Sequence, residues 1–353
     1  MIRLLDFLRS SKSQARHRNF HAVEAETNAE LGRKLGSKFG GEIDGFVREI
    51  RNRRGWKRRL EAAQSLLDAA RHHFPHHVEE LEAYAQAAGQ KLSDVWAMCL
   101  EDELDGLGQE HCTTMVTNGG ALIAHNEDWD EASEDAICIL QKSVGALTIL
   151  ELYYYAVPLG GCAFSINSHG YIQAINSLNH RDTAKGVPKC IVARHLSETS
   201  NPQQDIARLQ GIPRSSGYAH TFVGMTGDIT HVESTAKKLV VTQPAPPFVH
   251  TNHYVCPELE DFHVPVCEDE STFERLGEAR RLVRAEMSPE AMMTAAGDQS
   301  NGEWNSLFNC ETIGRAVVDL PSRRAKFWLR REARAGWIDY NLDLLPGTDA
   351  PVA

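Results

Sequence analysis

The chain has 353 residues, 42% of them hydrophobic and 24% charged; this globular composition excludes a disordered polyelectrolyte, and ~150 residues per domain would make it about two domains or one large one. Its net charge of −11 hides an asymmetry: residues 1–60 hold 15 Lys and Arg against 7 Asp and Glu, a balance of +8 that leaves −19 for the rest. That basic end interleaves its charges with apolar residues at helical spacing and carries no nucleic-acid-binding motif, so it reads as a segment packed on, or solvated beside, an acidic body.

In chain order, the first hundred residues read as helices. Leu60, Ala63, Leu66, Leu67 and Ala70 recur at helical spacing, Pro75 suits a first helical turn, and Ser93 looks like an N-cap ahead of DVWAMCL. From Cys112 the pattern becomes strands: CTTMV, a turn at Asn118-Gly119-Gly120, then ALIAHN, which together predict a hairpin. Further strands are expected at AICILQKS, LTILELYYYAV, CAFSIN and YIQAIN, the last two split by Ser168-His169-Gly170. Helices follow around 188–200 and over Pro202 to Leu209, then strands at HTFVGM, ITHVES, KKLVVTQ and FVHTNHY. Ser271 to Glu286 reads as an amphipathic helix, Ser288 as the cap of a short one, and TIGRAVVDL with AKFWLRR as a closing hairpin before a tail from Pro346. Blocks of strands and blocks of helices, without βαβ alternation, argue for a layered α+β fold.

No apolar run reaches the ~20 residues of a membrane span, and the opening residues lack the apolar core of a secretion signal. Cys99, Cys112, Cys138, Cys162, Cys190, Cys256, Cys267 and Cys310 include no C-x-x-C pair; they are expected to be reduced thiols of a cytoplasmic protein. Two histidine groups invite a metal reading: His72, His73, His76 and His77 around Phe74-Pro75, and His250 with His253. With no carboxylate or cysteine partner visible in sequence, both are read as capping or surface clusters, and neither a metal nor a cofactor is expected.

The stretches H-C-T-T-M, A-H-N-E-D-W, S-I-N-S-H-G-Y-I-Q-A-I-N, H-T-N-H-Y and D-E-S-T-F-E-R-L, in this order, resemble the acyl-coenzyme A:6-aminopenicillanic acid acyltransferase family. Its members are peptidase C45-like, self-cleaving N-terminal-nucleophile hydrolases related to carcinine hydrolase and, more distantly, to bile salt and penicillin V hydrolases. The resemblance spans residues 60 to 330 or so and implies a four-layer αββα sandwich preceded by a helical pro-region. Residues 1–111 would form that pro-region, 112–345 the catalytic domain and 346–353 a tail. The precursor would split at His111-Cys112, its two fragments staying associated.

By the same resemblance, Cys112 is the nucleophile and forms a thioester with the acyl group of a small-molecule amide. Once freed, its α-amino group, with a reference pKa of ~7.7–8 against ~8.5 for a thiol, can serve as the base. Asp128 would hold that amine, Asn252 would donate its side-chain amide to the oxyanion, Asn176 would supply the second donor, and Arg275 would stand near the thiol and favour the thiolate. His111 departs from the glycine the family usually places before the nucleophile; it would slow the cleavage or assist it as acid or base. His125 and His253 are the candidates for a conventional Cys-His pair, which the resemblance does not require. Two further readings stand beside this one: N-acyl transfer from a coenzyme A thioester, and a non-catalytic homologue that serves as a binding module. Neither nucleic acid nor membrane is expected as a partner, and an oligomer is compatible with the sequence.

Overall fold

Two sheets and two helical layers account for the patterning in the computed structural model, which describes residues 16–100, 103–104, 111–129, 131–159, 163–179, 182–264 and 271–347. The first sheet has eight strands in the order β1-β4-β5-β6-β7-β8-β9-β10, and the second has six in the order β11-β2-β3-β12-β13-β14. In chain order the strands are β1 (Phe20–Ala25), β2 (His111–Thr117), β3 (Leu122–Asp128), β4 (Ile137–Val144), β5 (Leu147–Tyr154), β6 (Phe164–Asn167) and β7 (Tyr171–Ser177). They continue with β8 (Tyr218–Gly224), β9 (Ile229–Ser234), β10 (Leu239–Thr242), β11 (Phe248–His250), β12 (Thr312–Asp319), β13 (Arg324–Leu329) and β14 (Ile338–Asn341). The helices are α1 (Asn28–Arg51), α2 (Trp56–His73), α3 (Pro75–Ala87), α4 (Leu92–Met98), α5 (Glu131–Glu134), α6 (Lys189–Leu196), α7 (Pro202–Leu209), α8 (Ser271–Leu282), α9 (Pro289–Ala296) and α10 (Gly302–Asn305).

The layering follows from which faces are apolar. Leu31, Leu35, Phe39, Ile43 and Val47 form one stripe of α1, and with Leu81 of α3 they join the core of the first sheet. That core runs on between the sheets, where Val116, Ile123, Ala316 and Val318 face Phe164 and Leu152. A separate cluster of Met115, Leu122, Ala124, Leu276, Ala279 and Met292 packs α8 and α9 on the outer face of the second sheet. Because side chains alternate along a strand, β2 and β3 send Cys112, Thr114, His125 and Glu127 inward between the sheets. His111, Thr113, Asn126 and Asp128 point toward the outer helices. The result is the expected four-layer αββα sandwich.

Close approach of α1 to α3 depends on small residues. Gly32, Gly36 and Gly40 repeat every four residues, and a Cβ at Gly36 would lie 2.2 Å from the Tyr84 carbonyl oxygen of α3. Tyr84 in turn donates its hydroxyl to the Tyr155 carbonyl (2.7 Å), which ties the helical layer to the end of β5.

The structure corrects several element boundaries. The N-terminal region is not wholly helical: β1 is an edge strand that runs parallel to β4, with Phe20 opposite Ile139 and Ala25 opposite Val144. Helix α4 begins at Leu92 after Lys91, so Ser93 lies inside its first turn and caps nothing. Of FVHTNHY only Phe248–His250 is strand, which leaves Asn252 in a buried loop. The helix from Ser271 ends at Leu282, and β14 adds a strand beyond the expected hairpin. Asn118, Gly119 and Gly120 all take positive φ, the left-handed backbone the hairpin turn needs. Cys162, Cys267 and residues 348–353 of the tail lie outside the described residues.

Candidate active site

The β2–β3 hairpin pairs Cys112 with Glu127 and His111 with Asp128. Cys112 is 3% exposed, and its thiol donates to Glu127 Oε2 at 3.2 Å. Glu127 is held on both sides: Tyr154 of β5 donates its hydroxyl to Oε1 (2.8 Å), and His125 Nε2 lies 3.1 Å from Oε2. Further inward, the Thr114 hydroxyl donates to Asn176 Oδ1 of β7 (2.9 Å) and stands 3.1 Å from His125 Nδ1. His125 thus bridges Thr114 and Glu127 through its two ring nitrogens. The described residues thus form a chain from Sγ through Glu127 and His125 to Thr114 and Asn176.

A second set of bonds fixes the backbone of Cys112. Its N–H donates to Asn252 Oδ1 at 2.8 Å, and its carbonyl accepts from Arg275 at 2.9 Å. Arg275 also donates to Thr113 Oγ1 (2.9 Å) and to Asn252 Oδ1 (2.8 Å), so one guanidinium orients both Cys112 and Asn252. Asn252 is oriented further by its Nδ2, which donates to the Ser177 carbonyl (3.1 Å), and by its N–H, which donates to Thr272 Oγ1 (2.7 Å).

The loop that carries Asn252 is itself anchored by a buried carboxylate. Glu233 of β9 accepts from Val255 N–H (2.8 Å) and Cys256 N–H (2.9 Å), and His250 Nε2 stands 2.9 Å from it. Burial alone would raise the Glu233 carboxyl, but its imidazole neighbours His231 and His250 overcome this and hold it well below the ordinary carboxylate range.

Cys112, Asn252 and Arg275, three of the residues singled out in the sequence, meet directly, and Asn176 reaches the group through Thr114. The Asn176 Nδ2 is buried with no hydrogen-bond partner. Arg275 is fully buried and grips the Cys112 carbonyl together with Thr113 Oγ1, on the face of β2 turned toward the outer helices. Asp128, expected to face the nucleophile, points to the opposite face of β3 from Glu127, and its Oδ2 accepts from Asn309 (2.8 Å). Burial raises its carboxyl above the usual range, against the lowering effect of Arg275 and of hydrogen bonds from Thr312 and Asn309. His111 Nδ1 lies 3.2 Å from Glu311. His253 contacts Thr272 (2.9 Å) in the Asn252 loop, and burial pushes its imidazole down to about 3.

Glu127 is the residue that sequence reasoning passes over, because it reads as one member of an acidic run. Counting outward from the Asn118–Gly120 turn pairs Thr117 with Leu122, and the same register brings Glu127 to Cys112. The metal reading also changes. His77 and His195 do have a carboxylate neighbour in Glu198, and His250 has one in Glu233. Cys112, His125 and Glu127 form a third group of this kind among the described residues.

No helix among the described residues is long and apolar enough to cross a membrane. No curated protein matches the chain. Among solved structures, it is similar to penicillin V acylase from Agrobacterium tumefaciens, with 11% identity and a TM-score of 0.43 over 62% of this chain and 83% of that one. It is likewise similar to a mutant of conjugated bile acid hydrolase from Clostridium perfringens, with 12% identity and a TM-score of 0.37 over 67% and 93% of the two chains. The profile of the acyl-coenzyme A:6-aminopenicillanic acid acyl-transferase family matches residues 115–334. That is well over half of the chain, and it therefore belongs to this family of enzymes, which hydrolyse amides or transfer acyl groups.

Proposed function

We propose that the chain is made as a precursor, that Cys112 cuts the peptide bond in front of itself, and that the product is a cysteine amidohydrolase acting on a small N-acyl compound. The observation that carries this is the double anchorage of Cys112, with its thiol against Glu127 at 3.2 Å and its N–H against Asn252 at 2.8 Å. Self-cleavage precedes any free α-amine, so another group must take the thiol proton; Glu127 is the carboxylate in contact with it. The sulfur then bonds to the His111 carbonyl carbon, the His111–Cys112 C–N bond breaks, and the leaving nitrogen takes up a proton. Water hydrolyses the thioester, which leaves a carboxylate on His111 and a free thiol and amine on Cys112.

In turnover that amine occupies the place of the former N–H and serves as the base. Asn252 Nδ2 and the buried Asn176 Nδ2 are the oxyanion donors in this reading, and Arg275 is the positioning residue that keeps Cys112 and Asn252 in register. Asp128, level with His111 and oriented by Asn309, anchors the ammonium form of the new terminus. Pairing of β1 with β4 and the cover of α1–α4 over the first sheet support fragments that stay associated after the cut. Buried unpaired thiols at Cys99, Cys138 and Cys190 suit a cytoplasmic enzyme.

Mass spectrometry of the purified protein tests the proposal. The wild-type chain should appear as two fragments that meet at His111-Cys112, and Cys112→Ala as one intact, inactive chain. Two fragments from Cys112→Ala would remove Cys112 from the self-processing role.

A further inference from the structure

A cavity of about 550 Å³ opens where the end of α1 and the start of α2 face the end of β5, within the ~300–1,000 Å³ usual for small-molecule sites. Its inner wall includes Trp129 and Tyr154, whose rings meet edge to face at 5.1 Å. Tyr154 also donates to Glu127, which accepts from the Cys112 thiol, so this wall is two hydrogen bonds from the sulfur. Phe46, Ile50 and Trp56 make the facing wall apolar.

Charge at this cavity runs against the rest of the chain. Arg53, Arg54, Arg58 and Arg59 line it, in a protein of net charge −11. Among the described residues, Glu49 and Glu103 are the carboxylates of the lining; Glu49 lies 3.4 Å from Arg53, and Glu103 is turned to the Ser216 hydroxyl (2.7 Å) and the Lys189 N–H (2.9 Å). Arg59 is set in place by the Ala97 carbonyl at 3.3 Å. Clustered guanidinium groups beside low-dielectric walls concentrate anions, and their planar forks match carboxylate and phosphate oxygens.

We propose that this cavity selects the substrate: an amide with an apolar body that lies along Trp129 and Tyr154 and ends in an anionic group, carboxylate or phosphate, beside Arg54 and Arg58. The proposal rests on the reading of Cys112 as nucleophile and adds to it a substrate class. It also gives the basic N-terminal segment a task, since the N-terminal fragment that stays bound after self-cleavage would supply the anion-binding side of the pocket.

Calorimetric titration of the purified wild-type protein with decanoate, decyl phosphate and decanol tests this. The anionic amphiphiles should bind at least about tenfold tighter than decanol, which is one charge-assisted hydrogen bond's worth of affinity, and the advantage should shrink with added salt. The tighter of the two anions identifies the terminal group. A double variant, Arg54→Gln with Arg58→Gln, should keep the wild-type melting temperature and the decanol affinity while losing the preference for anions. Equal binding of all three compounds, or a preference that survives in the double variant, would overturn the proposal. Failure of the catalytic reading is separately visible: a chain that stays in one piece and cleaves no amide, yet still prefers the anions, keeps the pocket and loses the nucleophile.

Discussion

Glu127 and Asn252 hold opposite ends of Cys112, and their substitution should separate its two tasks. Glu127→Gln keeps the shape and the Tyr154 contact but removes the proton acceptor, so the appearance of fragments should slow ~10²- to 10⁴-fold; a time course on freshly made chain reads this, and an unchanged rate would move the base elsewhere. Asn252→Ala should lower turnover of the cleaved enzyme by ~10²- to 10³-fold if its amide is an oxyanion donor; kcat within a few fold of wild type would end that assignment. The two residues are unequally legible in the sequence. Asn252 stands in a motif, H-T-N-H-Y, that has a recognisable counterpart. Glu127 lies within A-H-N-E-D-W, but that stretch is read for Asp128; the pairing of Glu127 with Cys112 follows only from the register of a hairpin whose turn is visible but whose pairs must be counted out. Arg275 shows the limit of spacing: a helix-period arginine resembles a surface residue until the helix is known to lie on the second sheet, where this one is fully buried.

Helices and central strands are the readable elements, because their periodicity survives burial. Strand β1 is not, since FHAVEA is short, half-buried at a sheet edge, and paired with β4, which begins more than a hundred residues later. The α1–α3 contact is hidden for a different reason: glycines at 32, 36 and 40 look like helix breakers in a propensity count, whereas in the structure they admit the backbone of α3. Gly36→Ala should raise the intrinsic propensity of α1 and yet destabilise the protein, because a Cβ 2.2 Å from the Tyr84 oxygen forces the helices apart. Overpacking of this kind costs ~1–3 kcal/mol. Thermal unfolding checks it, and a melting temperature equal to or above wild type would show that the interface yields without loss.

Across the whole molecule, the two sheets enclose an interior crowded with titratable groups, and this has a consequence for acid stability. Burial pushes the imidazoles of His220 and His231 down to about 3 and about 4, and that of His253 to about 3. An unfolded chain takes up these protons near pH ~6.5, while the folded chain refuses them until far lower, so stability is full above that pH and falls as acid is added. Glu233 acts with the same sign in a lower window. Its folded-state value lies well below the unfolded ~4.3, so its contribution is present above that pH and is lost beneath it. Asp128 opposes them, since a carboxyl raised by burial favours the folded state as acid is added. The histidines dominate between about pH 6.5 and 5, where neither carboxylate has begun its main change in the unfolded chain. Each fully buried imidazole is then worth on the order of 2 kcal/mol by pH 5. His220 isolates the effect, because it is fully buried beside Gln173 and lies outside the Cys112 network. Urea unfolding at pH 7 and pH 5 should show a marked loss of stability for the wild type and a loss smaller by roughly 2 kcal/mol for His220→Gln. An identical loss in both proteins would mean that the decline is set by groups other than the buried imidazoles.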